Sequence, residues 1–547
     1  MDIISEIKKA IEYTKQKRFS DAEKIYKNII TLDSENALAV SCLGLLYLNV
    51  GKFKKSEKHL EKAFSINKSI ATAEGLGIVK YYLNKYGEAC EYFEPIINTT
   101  KNYDVYDKFI ETLLEMNKFS LAYNYAEQCC RKFPFKPEAI SKLIYCSINV
   151  GKLKEAFVLA EQLVKNFPTF GDGWIKMGLV YEILFHDDKA AKNCYEKAYA
   201  CGDKEIAYYN LAINADKTGE PDKALGYIKK IYHQYPDRGS INFMTAAVYF
   251  HKRDFKNGYK YYIHKEEHVA SNHLMAKLKR PWDGKTYKQK TVLVYGDQGA
   301  GDCMMFSRYL PFLLKKFKKV KVFVNKNVYN VLKYSFRKYK DIEFIEFKKN
   351  LPRYDKSTIM SNLPYYLKID LDNIPYSEGY FEAKTELVDL YKNKYINSDK
   401  LKIGVVWEAG GTGWRELLNR TLNVELFEPF LELEKAQVYS LQVKPTLDSY
   451  KKYDKLIDLG QTFTDFEQTA GAIKNLDVVV TVDTSVAHLA GALGVKTFML
   501  LPYVTDWRWF DNDKKTEWYD SITIFKQKNP KTWDDVIESI KVELINM

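Results

Sequence analysis

A small residue recurs every 33 or 34 positions through the first half of this chain, at Ala22, Ser56, Ala89, Ala122, Ala156, Ala190, Ala224 and Gly258. A larger apolar residue follows three or four positions later at Tyr26, Leu60, Phe93, Cys194, Ile228 and Tyr262, with Ala126 and Ala160 as exceptions. Gly51, Gly87, Gly151 and Gly219 stand shortly before the small residue as turn formers. A small side chain at a fixed place in each unit lets two antiparallel helices approach closely. A hairpin of this length cannot bury its apolar face alone and must stack on its neighbours. A non-repeating bundle would not keep so constant a period. The spacing therefore predicts about eight stacked helical hairpins over residues 1–270.

The period and its glycine-to-alanine core resemble the tetratricopeptide repeat, which makes this region an α-helical solenoid of that type. The resemblance implies a concave face that holds extended peptides or partner proteins, although fold alone does not establish function.

Helical patterning fades near Val269, the stretch RPWDG (280–284) marks a turn, and residues 271–289 read as a linker. The run TVLVY (291–295) is a buried strand leading into GDQGAGD (296–302) and a helix from Cys303 to Leu314. Strands at 320–325, 342–346 and 356–360, with a helix at 326–338, continue the alternation. A second series starts at IGVVW (403–407). It runs through helix 424–434, strand 437–442, helix 464–474, strand 477–482, helix 485–493 and strand 496–501, and closes with helix 531–545. The alternation predicts two Rossmann-like α/β domains, 290–398 and 399–547, that face a ligand across a cleft because both sheets bind at strand carboxyl ends. The fold class is thus α plus α/β: a helical solenoid followed by the two-domain layout called GT-B.

The segment LDVVVTVDTSVAHLAGALGVKTFMLLP (476–502) reads as strand, turn, helix and strand. Its turn sets Asp483, Thr484, Ser485 and His488 where a buried strand ends and a helix begins. Unpaired backbone N–H groups and the helix dipole favour an anion there. Thr484 and Ser485 add hydroxyl donors, and His488, one turn on, can donate to a phosphate oxygen. The plainer alternative is a helix cap by Asp483 or Thr484 with His488 facing the core. Gly296, Gly299 and Gly301 permit a ligand to approach the backbone. Their GxxGxG spacing is not the dinucleotide GxGxxG, so no NAD site is expected.

Lys and Arg number 83 against 71 Asp and Glu, a net charge of +12. Such a surplus suits phosphorylated ligands, peripheral contact with an anionic membrane surface, or nucleic acid. The lysines are spread along the chain rather than clustered with aromatics, so a solvated surface is the simpler reading and nucleic acid is not expected. No run of 18 apolar residues occurs, and the charged start lacks the apolar stretch of a secretory signal. Eight cysteines without CxxC spacing read as free thiols in a reducing cytoplasm. The sequence HKEEH (264–268) is not HExxH, because Lys265 holds the glutamate position; it reads as a charged surface and not a metal site.

Residues 281–311 and 464–509 resemble bacterial tetratricopeptide-repeat glycosyltransferases, whose catalytic part is similar to the ADP-heptose:lipopolysaccharide heptosyltransferases. The likeness rests on two motifs in combination: G-D-x8-P at Gly301, Asp302 and Pro311, and D-T-x-x-x-H at Asp483, Thr484 and His488. It implies that Asp302 is the general base, against the simple reading of a helix cap after a glycine turn. It also implies that Asp483, Thr484 and His488, with Ser485, Gly299 and Gly301, hold the donor's pyrophosphate and sugar. Arg420 in NRTL, Lys444 and Gln442 after SLQ are further donor-side candidates, and Gln298, Arg308, Trp407 and Arg508 (in DWRW, 506–509) are candidates for the cleft lining. Two departures stand out: Asp297 where relatives often carry Glu, and the glycine-rich loop GGTG (410–413).

Transfer of a glycosyl group needs a stabilised nucleoside diphosphate leaving group and a base for the incoming hydroxyl. The expectation is a cytoplasmic, metal-independent, inverting glycosyltransferase with a nucleotide-sugar co-substrate, no cofactor and no DxD metal motif. Its acceptor is a protein, such as a flagellin or adhesin, brought by the repeats. The alternatives are lipopolysaccharide or another surface glycan, with partner enzymes on the repeats, and a repeat scaffold carrying a degenerate transferase domain.

Overall fold

The computed structural model describes residues 2–233, 238–265, 277–348, 350–410, 420–445, 448–509, 514–530 and 532–547. Two compact units divide the chain, Met1–Ala207 and Tyr208–Met547. Of the sequence readings, residues 266–276 and most of the GGTG loop lie outside the described residues.

Sixteen helices between Ile3 and Tyr262 pair as eight hairpins among the described residues. Each hairpin turn is closed by a residue in the left-handed region, at Lys17, Gly51, Asn84, Asn117, Gly151, His186, Gly219 and Arg253, with φ between 51° and 77°. The small residue always comes five positions later. Two expectations are thereby corrected. Asn84, and not Gly87, makes the third turn; Gly87 lies inside the helix Tyr86–Phe93. The small residue of the sixth hairpin is Ala191, fully buried, and not Ala190, which is partly exposed. A single π turn at Tyr181–Phe185 precedes it and takes up one extra residue. The packing pairs show the same slip. A Cβ on Gly44 would lie 2.6 Å from Leu60 and one on Gly77 2.4 Å from Phe93, each sixteen positions on. A Cβ on Gly178 would lie 2.4 Å from Tyr195, seventeen positions on.

The second unit begins with the last hairpins and continues into two all-parallel sheets. The first holds β1 (Tyr287–Tyr295), β2 (Phe317–Val324), β3 (Ile342–Glu346) and β4 (Lys356–Ile359) in the order β3-β2-β1-β4. The second holds β5 (Leu401–Val406), β6 (Ala436–Ser440), β7 (Leu456–Asp458), β8 (Val478–Val482), β9 (Thr497–Leu501) and β10 (Ile522–Lys526) in the order β10-β9-β8-β5-β6-β7. β7 and β10 are additional to the strands read from sequence. The predicted helix 424–434 is instead a 3-10 turn, Val424–Phe427, and one helical turn, Glu428–Leu431. The predicted helix Cys303–Leu314 is two pieces, Ala300–Ser307 and Leu310–Leu313, the second with Pro311 in its first turn.

Every residue of β8 and β9 is buried, as expected of central parallel strands covered on both faces. In each sheet the strand order reverses about one strand: β1 lies between β2 and β4, and β5 between β6 and β8. Ligands of open parallel sheets bind at the carboxyl ends beside such reversals. The last hairpin is built into this unit: Phe250 stacks on Trp507 with ring centroids 4.3 Å apart, and the Tyr262 hydroxyl meets Gln298 at 2.9 Å.

Candidate active site

The segments that follow β1, β5, β6, β8 and β9 line one cavity of about 800 Å³. β1 contributes Gln298, Gly299, Gly301 and Asp302, and β8 contributes Asp483, Thr484, Ser485 and His488. Arg420, Gln442, Lys444 and Arg508 complete the candidates found there. The helices Ala300–Ser307 and Ser485–Ala492 pack together at their amino ends, where a Cβ on Gly301 would lie 2.7 Å from His488 Cδ2 and 3.5 Å from Ser485 Cα. Glycine at 301 is therefore a requirement of close approach.

Asp302 does not cap its helix. Gly299 holds the cap position without a side-chain bond, and the Asp302 carboxylate instead accepts from Arg508, Nη2 to Oδ1 at 2.5 Å. Arg508 Nη1 donates to Asp506 Oδ1 at 2.6 Å, and the Arg508 backbone N–H donates to the same oxygen at 3.1 Å. Burial works against the guanidinium's charge, but Asp302 and Asp506 hold its proton well above the ordinary range.

Thr484, not Asp483, caps the helix Ser485–Ala492, accepting from the Val486 N–H at 3.2 Å. Asp483 is buried at the end of β8, with Arg420 Nη1 3.4 Å from its Oδ2. Burial and the neighbouring charge of Asp506 raise its carboxyl above the usual value, against the pull of Arg420 and Arg508. His488 is buried between Trp509, stacked at 5.2 Å, and the Tyr519 hydroxyl, 3.1 Å from Nδ1. Burial, reinforced by the charges of Arg508 and Arg308, pushes its pKa down to about 3. The imidazole is therefore neutral near pH 7 and keeps one N–H to donate.

Two candidates lie elsewhere. Arg308 is fully buried away from the cavity, donating to the carbonyls of Met305 at 3.0 Å and Trp518 at 2.9 Å and facing the rings of Tyr380 and Tyr519. It is six residues past Asp302, about 120° round the helix and so on a different face. Trp407 packs against Tyr450 on the opposite face of its sheet from Val406 and Glu408, which line the cavity. The lining residues not singled out from sequence include Phe243 of the last hairpin, Glu408, Thr505 and Asp506. Asp506 sits in the DWRW motif and could have been weighed with Arg508. Phe243 carries no local signal, since only tertiary packing brings it to the cavity.

Asp297 is structural. Its carboxylate accepts from the Ser361 N–H at 3.0 Å and from the Ser361 hydroxyl, and lies 3.7 Å from Lys265 Nζ. Lys265 is buried, 2.7 Å from Ser361 Oγ, which corrects the surface reading for that residue, while residues 266–268 of the same stretch lie outside the described residues. Among the described residues no group of His, Cys, Asp and Glu could hold a metal ion, and no helix is long and apolar enough to cross a membrane.

Two consequences are open to measurement. Because Trp509 and Tyr519 fix the His488 ring, Gly301→Ala should destabilise the α/β unit by about 1–3 kcal/mol, and a denaturation midpoint equal to wild type would refute the tight approach. For His488, the unfolded imidazole takes up a proton near pH 6.5, but the folded one only near 3. The stability from keeping it neutral is present above about pH 6.5 and is lost as pH falls towards 3. His488→Gln should therefore lose less Tm than wild type between pH 7 and pH 4; equal losses would contradict the burial of a neutral ring.

The tetratricopeptide repeat family model matches residues 206–238, the seventh hairpin. Solved structures with a likeness to the chain include YrrB, a TPR protein with an unusual peptide-binding site, at 20% identity over 33% of this chain and 94% of that one, TM-score 0.29. The APC/C hetero-tetramer Cut9–Hcn1 is similar at 17% identity over 47% of this chain and 51% of that one, TM-score 0.34. A tetratricopeptide repeat protein from Parabacteroides merdae is similar at 12% identity over 50% and 96%, TM-score 0.32. No curated protein matches the chain.

Proposed function

We propose that this protein is a metal-independent, inverting glycosyltransferase of the GT-B type, heptosyltransferase-like in its catalytic part, acting in the cytoplasm on a nucleotide-sugar donor. The observation that carries this reading is the shared cavity in which Asp302 looks across at the Asp483–His488 turn. The donor's diphosphate would sit at the amino end of the helix Ser485–Ala492, with the Thr484 and Ser485 hydroxyls, Arg420, Lys444 and Arg508 around it. The acceptor hydroxyl would pass its proton to Asp302 as its oxygen bonds to the anomeric carbon. The bond from that carbon to the diphosphate breaks, and its electron pair leaves on a phosphate oxygen that the cations stabilise. One carboxylate as base, without a covalent intermediate, gives inversion.

The repeats would bring a protein acceptor, of the flagellin or adhesin kind, to this cavity. A surface glycan such as lipopolysaccharide is the alternative acceptor, in which case the repeats dock partner enzymes. One observation favours the scaffold reading instead: among the described residues, four carboxylates (Asp302, Glu408, Asp483 and Asp506) outnumber three cations (Arg420, Lys444 and Arg508) along the cavity wall. Release of the nucleotide from a panel of ADP-, UDP-, GDP- and CMP-activated sugars, a diphosphate from the first three and CMP from the last, separates the two. The enzyme reading expects turnover of at least one donor that stops when Asp302 is replaced. No turnover of any donor supports the scaffold.

A further inference from the structure

Arg508 is shared between two carboxylates that hold it unequally. Asp506 is two residues away and accepts from both its backbone N–H and its Nη1. Asp302 comes from the other sheet and accepts only from Nη2. The whole cluster opens on the cavity, and the Arg508 side chain keeps 14% of its surface exposed. A guanidinium offers five N–H groups in a planar fork suited to phosphate. A phosphate arriving in this cavity therefore competes with Asp302, which engages Arg508 through Nη2 alone, for that edge of the guanidinium, while the two hydrogen bonds to Asp506 keep the arginine in place.

We infer that Arg508 is a donor-operated gate on Asp302: it holds the carboxylate in an ion pair until the diphosphate of the donor takes over its Nη2 edge and frees Asp302 to accept the acceptor's proton. The inference rests on the transferase reading and deepens it by giving an order of events. Donor binds first, the ion pair exchanges one anion for another, and only then is a base present for the acceptor. Arg508 then serves twice. It withholds the base while the site lacks a donor, and it neutralises the leaving diphosphate during transfer. A base held in an ion pair until the donor arrives also explains how a cavity with a surplus of carboxylates can accept a dianion, because one of its carboxylates gives up its counter-ion as part of binding.

The test is calorimetric binding of the nucleoside diphosphate whose sugar the enzyme turns over. Asp302→Asn should bind it roughly fivefold more tightly than wild type, because Arg508 no longer has to be drawn from a carboxylate. Loss of a negative charge alone would also tighten binding, so two controls isolate the gate. Glu408→Gln removes a carboxylate from the same wall and should give a clearly smaller gain. In an Arg508→Lys background, where a point charge cannot bridge both carboxylates, Asp302→Asn should give little gain. An equal gain at Glu408 and Asp302, or a gain at Asp302 that persists in the Arg508→Lys background, overturns the gate and leaves the transferase reading standing. Failure of every nucleoside diphosphate to bind the wild-type protein overturns both.

Discussion

Asp302→Asn should lower the rate of sugar transfer by roughly a thousandfold, the usual worth of a positioned general base, while nucleoside diphosphate still binds. The substitution keeps the size and shape of the side chain and its place in the first turn of the helix Ala300–Ser307. It removes only the ability to take a proton. The two readings of this residue separate cleanly here. A helix cap would cost stability and leave the rate nearly intact. The structure already assigns the cap position to Gly299 and gives the Asp302 carboxylate to Arg508. A rate within a few fold of wild type would remove Asp302 as the base.

Asp297→Ala should cost the α/β unit about 3–5 kcal/mol, the typical effect of taking one partner from a buried ion pair. Asp297 and Lys265 each keep 1% of their side-chain surface exposed, and Ser361 bridges them. The pair fastens the loop that carries Gln298, Gly299 and Gly301, so activity should fall along with stability. Seven of the eight tryptophans lie beyond residue 280, so their fluorescence during urea unfolding follows mainly this unit. Adding Lys265→Met to Asp297→Ala should restore much of the loss, because the stranded charge is then gone. If the double variant is no more stable than the single one, packing and not the buried charge is the source of the effect.

Much of the architecture is legible in the sequence because its signals are local and repeated. The period of the small residues predicts eight hairpins, and long apolar runs such as VVVTV (478–482) mark the central strands. The misplacement at Ala190 has a local cause that a period cannot reveal: a π turn adds one residue, and the phase shifts for half a repeat. β7 spans three residues, too short for periodicity to distinguish from loop. Within the site, Trp407 follows the last residue of β5 and packs on Tyr450 instead of the cavity, a placement that only the tertiary fold decides. Lys265 was hidden for a different reason. Its neighbours in sequence are charged, and its partners Asp297 and Ser361 come from segments 32 and 96 positions away.

The central claim is that a nucleoside diphosphate seats at the amino end of the helix Ser485–Ala492, in the cavity that Asp302 shares. Thermal unfolding of wild type and of Ser485→Trp, which fills that corner from a partly exposed position, with ADP, UDP, GDP and CMP tests it most directly. At least one of the three diphosphates should raise the wild-type Tm and leave the variant unchanged, with CMP as the monophosphate control. No shift with any of them, or an equal shift in both proteins, would contradict the account.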